Sequence, residues 1–146
     1  MAANIDSNRW VVDCSFTAAL FLPDESSKKV VTFFNKVLKN KNQLLVPGIW
    51  VYETGNVLVS ALRRRRISLA QKQEILVLLG QLPIEIISLA SLGEVSITAG
   101  ISVELDISFY DASYLNLAVS NQCSLATLDQ KLWQAAKTAG ISTTSL

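Results

Sequence analysis

At 146 residues the chain has the length of a single domain, 1–146, that buries roughly two-thirds of its unfolded surface without disulfide or metal staples. It carries 13 Lys+Arg against 12 Asp+Glu, a net charge of +1, and no histidine. That excludes Ser-His-Asp and Cys-His catalysis and histidine-liganded zinc, leaves no global basic field, and restricts any catalysis to carboxylates, hydroxyls, lysine or arginine.

Residues 10–14, WVVDC, form a short valine-rich run that predicts a strand buried on both faces. A helical stretch follows, and Pro23-Asp24-Glu25-Ser26-Ser27 predicts a turn leading into a second helix that reaches about Asn40. Residues 43–46, QLLV, predict the next strand. Pro47 and Gly48 then open a long helix with apolar positions at Ile49, Trp50, Val57, Leu58 and Leu62, ending at the arginine run 63–66. Ser68 has the character of an N-cap for a helix to about Gln81, closed by Pro83. The alternation continues with a strand at 84–88, helices at about 91–104 and 108–120, a strand at 124–127, a helix from Asp129 to about 139, and a last strand near 141–145. Strands that are continuously apolar and separated by helices predict an α/β fold, a mostly parallel sheet of four to five strands with helices on both faces. Ligands of such sheets bind outside the carboxyl ends of the strands.

The hydrophobic fraction is 50% and the mean hydropathy +0.34, values that predict apolar surface reserved for a partner or a second copy. Apolar runs fall far short of the ~18 residues of a membrane span, and the start MAANIDSNRW lacks a signal-peptide core. The expectation is a cytoplasmic protein with no membrane contact. Cys14 and Cys123 lie in apolar stretches and read as small buried hydrophobes.

Most of the twelve acids suit solvated helix faces or caps, but four do not. Asp13 ends the first strand. Glu53 has Ile49, Trp50 and Val57 on its own helix face. Asp111 has Tyr114, Leu115 and Ala118 at i+3, i+4 and i+7, and Asp129 follows the strand SLAT. Each has a structural alternative: Asp13 as a turn residue, Glu53 as a buried acid paired with an arginine, Ser108 with Asp111 as a capping box, Asp129 as an N-cap. Together they fall at the edge where strands end and helices begin. Carboxylates gathered there without basic partners repel one another and lose hydration, which a hard divalent cation, Mg²⁺ or Mn²⁺, relieves. Such an ion also lowers the pKa of a bound water, which suits phosphodiester hydrolysis without histidine. Ser15, Asn56 and Thr127 are placed to orient these acids, although Ser15 could cap the first helix and Thr127 is an ordinary strand residue. Arg63, Arg64, Arg65 and Arg66 are candidates for contact with a nucleic-acid backbone, with a helix end complementing its dipole as the alternative, and Lys131 is a second candidate.

VVDCS, VYETGNVL, ISFYDASYLNLAV and LATLDQKL, in that order and spacing, resemble the PIN domain almost from end to end, specifically the VapC-type ribonuclease toxins of prokaryotic toxin-antitoxin pairs. The resemblance implies a three-layer fold, an Mg²⁺- or Mn²⁺-dependent endoribonuclease acting on RNA, and an acidic quartet of Asp13, Glu53, Asp111 and Asp129. It also implies a homodimer silenced by a cognate antitoxin. Where some PIN nucleases carry a further acid beside the last aspartate, this chain has Gln130 and Lys131. A housekeeping PIN nuclease without an antitoxin and an idle PIN-like interaction module are the alternatives. A haloacid dehalogenase-type phosphatase fits less well, because Ser15 stands where its second acid belongs.

Overall fold

A computed structural model describes residues 5–144. The elements are β1 (Asp6–Val12), α1 (Cys14–Phe21), α2 (Lys28–Asn40), β2 (Gln43–Pro47), α3 (Ile49–Arg63), α4 (Leu69–Gln81), β3 (Ile84–Ile87), α5 (Leu92–Leu105), α6 (Phe109–Ser120), β4 (Cys123–Ala126) and α7 (Gln130–Thr138). The four strands run parallel in the order β3-β2-β1-β4.

That order dictates the layers. Right-handed crossovers from β1 to β2 to β3 put α1–α4 on one face, and the return from β3 past β1 to β4 puts α5 and α6 on the other. Helix contacts divide the same way: α1 packs on α2 and α3, and α3 on α4, whereas α6 packs on β1, β2, β4, α5 and α7. The chain therefore leaves β1 and β4 in opposite directions, opening a crevice between their carboxyl ends.

The central strands are apolar on both faces because helices cover both. Val11, Val12, Leu44, Val46 and Leu125 are fully buried. Edge strand β3 is covered less, and Ile86 remains 52% exposed. Phe33 packs edge-on against Trp10, Phe16 and Phe34, with ring centroids 5.0–5.4 Å apart. This cluster fastens α1 and α2 to β1. Gly48 precedes α3 where a Cβ would come within 2.8 Å of Ser88 Oγ, so a larger residue at that turn would have to turn the Ser88 hydroxyl aside.

The structure corrects several expected boundaries. β1 begins at Asp6, because its polar first half, DSNR, pairs with β2 and β4 without the apolar signal of a buried strand. It ends at Val12, with Asp13 as the N-cap of α1 and Cys14 already helical. Residues 141–144 contribute an isolated bridge, Leu125 to Thr143, rather than a fifth named strand; Ser145 of that expected strand lies outside the described residues. The arginine run does not form one surface. Arg65 takes a left-handed φ of 56°, and the Arg65 and Arg66 N–H groups donate to Leu62 and Ala61 carbonyls, closing α3 with a Schellman turn. Beyond it the Arg66 guanidinium bonds Asp24 and Glu25 at 2.6–2.8 Å, tying the α1–α2 turn to the end of α3.

Leu125→Ala, in a fully buried position, is expected to lower unfolding free energy by about 2–5 kcal/mol, whereas Ile86→Ala on the exposed edge changes it by less than about 1 kcal/mol. Urea titrations of both variants measure this, and equal losses would contradict the placement of the core.

Candidate active site

Asp13 is 5% exposed at the carboxyl end of β1. It caps α1 by accepting the Phe16 N–H at 2.8 Å on Oδ1. Ser15 Oγ lies 2.8 Å from both carboxylate oxygens, and Thr127 Oγ1 donates to Oδ2 at 2.5 Å. Thr127 directly follows β4, and its hydroxyl accepts the Asp129 N–H at 2.9 Å, while Ser15 Oγ accepts the Leu128 N–H at 3.1 Å. Asp129, exposed, caps α7 through Oδ1 and the Leu132 N–H. The ends of β1 and β4 are thus knitted together around one carboxylate. Burial pushes the Asp13 carboxyl up to about 6, against the downward pull of these hydrogen bonds, and the charge of Asp129 adds to the rise. Ser15 and Thr127 both serve Asp13, and the cap of α1 is Asp13 rather than Ser15.

Glu53, half-buried on α3, accepts a hydrogen bond from the Tyr114 hydroxyl of α6. Burial holds its carboxyl above the usual range, the Tyr114 bond opposes this, and the charge of Asp111 adds to it. Asp111 lies in the first turn of α6. Its N–H donates to Ser108 Oγ at 3.0 Å, as in a capping box, but the Ser108 hydroxyl in turn donates to Asp111 Oδ2 at 2.7 Å. The reciprocal half of the box, acid to cap backbone, is replaced by a contact that holds the carboxylate itself.

The four acids therefore form two couples, Asp13 with Asp129 and Glu53 with Asp111. Between them lie Cys14 and Tyr114, each of which feels the charge of both Asp13 and Glu53. Burial pushes the Cys14 thiol up to about 12, so it stays neutral and acts as an apolar spacer, as expected of it. Tyr114 was legible in sequence only as an apolar-face neighbour of Asp111. The available signal was its hydroxyl, since a buried phenol requires a partner.

Among the described residues no salt bridge involves any of the four acids; the recorded pairs join Arg9–Asp6, Arg66–Asp24, Arg66–Glu25 and Lys131–Asp106. Nor do three acidic or cysteine side chains there form a ready-made metal-holding group. Glu53 Oε1, Asp111 Oδ1 and Asp129 Oδ2 each lack a protein donor among the described residues. The donor set, hard carboxylate oxygens without basic partners, fits a divalent cation such as Mg²⁺ or Mn²⁺. Beside Glu53, a groove of about 420 Å³ is lined by Ser15, Asn56 and Arg66. Arg66 is engaged with Asp24 and Glu25, Lys131 Nζ bonds the Asp106 carbonyl at 3.1 Å, and Arg63, Arg64 and Arg65 are exposed.

The raised pKa of Asp13 makes its ionisation oppose folding. Its stabilising contribution is complete below the unfolded value near 3.8 and is lost as pH rises through about 6, at most about 3 kcal/mol. Asn retains the cap without the charge. The metal-free Asp13→Asn protein is therefore expected to match the parent in Tm near pH 4 and exceed it by several degrees at pH 7; a pH-independent difference would rule this out.

A model of the PIN domain matches residues 10–138. Among solved structures the chain is similar to PAE2754 from Pyrobaculum aerophilum, at 25% identity and a TM-score of 0.65, covering 97% of this chain and 88% of that one. It is also similar in fold to FitAcB from Neisseria gonorrhoeae, at 14% identity and a TM-score of 0.64, covering 93% of this chain and 96% of that one. Comparison with curated proteins gives no match. The motifs, the parallel sheet with its two helical layers and the match across residues 10–138 lead to one assignment: the chain belongs to the PIN domain family.

Proposed function

We propose that this chain is an Mg²⁺- or Mn²⁺-dependent endoribonuclease and the toxin of a VapBC-type pair. PIN domains are generally nucleases, and PIN nucleases generally use divalent metal ions. The observation that carries the reading is that, among the described residues, none of the four carboxylates has a basic partner, Asp13 and Asp129 following the ends of β1 and β4. At Asp13, the one buried member, a structural role alone would favour a neutral cap, because an unpaired buried charge costs several kcal/mol.

Asp13, Glu53, Asp111 and Asp129 would hold the cation. When bound, it supplies a lowered pKa for water and positive charge beside the phosphodiester oxygens. The protein's own part is orientation. Thr127 and Ser15 fix Asp13, Ser108 holds one oxygen of Asp111, and Tyr114 fixes Glu53 while favouring its ionised form. Burial of Cys14 and Tyr114 between the couples keeps the site's inner wall dry, which strengthens electrostatic interactions within it. Exposed apolar side chains on α3, α4 and β3, including Val51, Leu76, Val77 and Ile86, support a homodimer and a cognate antitoxin as partners. Among the described residues no helix is long and apolar enough to cross a membrane.

Purified protein is expected to cleave single-stranded RNA with Mg²⁺ or Mn²⁺ and not with EDTA. Asp13→Asn and Asp111→Asn should each reduce cleavage at least about 10³-fold with unchanged circular dichroism; full activity in either variant would sink the assignment. Tyr114→Phe should cost about 10- to 100-fold. Removing a donor to the Glu53 carboxylate raises its pKa further, so the acid limb of the pH–rate profile should move to higher pH. A loss of rate with an unmoved profile would leave Tyr114 a packing role only.

A further inference from the structure

The near-zero net charge conceals a strong local one. Residues 28–41 hold five lysines and no acid, so with +1 overall the rest of the chain carries −4. Lys28, Lys29, Lys36, Lys39 and Lys41 are all exposed, and among the described residues none forms a salt bridge. Helix geometry places Lys28, Lys29 and Lys36 on one side of α2, spread over about 12 Å. They line a groove of about 650 Å³ together with Phe16, Phe33 and Thr144. The Thr144 hydroxyl is buried there without a partner among the described residues.

The groove adjoins Asp13 through one residue. Phe16 donates its N–H to Asp13, and its fully buried ring lies beneath the groove. Phe33, held edge-on by Trp10, Phe16 and Phe34, stays partly exposed on the same wall. Lysines with nothing to neutralise them suit a polyanion, and a rigid, partly exposed ring between them suits an unstacked base. An acidic peptide would use the lysines and leave the ring idle. A membrane surface would require a flat basic face rather than a groove.

The geometry points to a strand-holding site on α2: single-stranded RNA passes from the acids at the Asp13 end of α1 into this groove, its phosphates on Lys28, Lys29 and Lys36 and a base against Phe33. This rests on the reading of the acids as a ribonuclease site, and it locates the part of the substrate beyond the cleaved bond. Arg63–Arg65, at the far end of α3, are not required for it.

Binding measured apart from cleavage tests it. Fluorescence anisotropy of a labelled 12-nucleotide RNA is followed in EDTA across a salt series. The variants are Lys28→Gln/Lys29→Gln/Lys36→Gln and a control, Lys72→Gln/Lys137→Gln, with charges removed on α4 and α7. The triple variant is expected to bind at least tenfold more weakly, with its salt slope reduced by about 2, since each phosphate contact on a single strand contributes about 0.7; the control should stay within twofold of the parent. That outcome supports the site whether or not the parent cleaves RNA with Mg²⁺, which is assayed separately and decides the nuclease reading. Equal affinity and slope in the triple variant and the parent would overturn the site while leaving any observed cleavage standing. Absence of RNA binding by the parent, or tighter binding to polyglutamate or phosphatidylserine vesicles than to RNA, would overturn it also.

Discussion

The structure is organised around a carboxylate buried where charge is least welcome. Asp13 sits at the junction of β1 and β4 with 5% exposure and no cation among its protein partners. Only donated hydrogen bonds make that tolerable, and they come from Phe16 N–H, Ser15 and Thr127. Each donor constrains something larger. The Phe16 bond starts α1, Thr127 fixes the end of β4 relative to β1, and the hydroxyls of Ser15 and Thr127 receive the Leu128 and Asp129 N–H groups that lead into α7. One unfavourable burial thereby sets the crevice from which the other acids are reached.

The second couple is built differently. Glu53 and Asp111 come from the opening turns of α3 and α6, helices on opposite faces of the sheet, and Tyr114 is the link. Its ring belongs to the core at 1% exposure, while its hydroxyl reaches an acid. The same side chain thus fastens α6 to the sheet and orients a carboxylate on α3. Repulsion within each couple is held in place by packing on both sides, the usual trade of stability for function at a site that has to bind charge.

Charge is segregated as well as concentrated. Among the described residues the four acids have no basic partner, the lysines of α2 have no acidic one, and Arg66 is spent on Asp24 and Glu25 at the α1–α2 turn. A guanidinium within a four-residue arginine run was the natural candidate for phosphate contact by composition. Its carboxylate partners lie about forty residues away in sequence and could not be read from the run. The α2 lysines were equally visible, but a lysine-rich helix resembles any solvated helix until its neighbours show a groove.

The sequence by itself determined the alternation of strands and helices, the parallel sheet, the four unusual acids and their hydroxyl companions Ser15 and Thr127. These follow from local properties: continuous apolarity in short runs, caps at helix starts, and carboxylates among core residues. It misjudged the start of β1, whose polar residues pair through backbone groups that leave no side-chain signature, and the tail near 141–144, where propensity did not become a full strand. Only the tertiary structure decided that the acids stand as two couples, that Tyr114 and Cys14 separate them, that Ser108 holds the Asp111 carboxylate instead of being capped by it, and where each arginine goes. Those outcomes depend on pairings between residues up to 114 positions apart, and such distances are set by strand order and helix crossing, which no local pattern encodes.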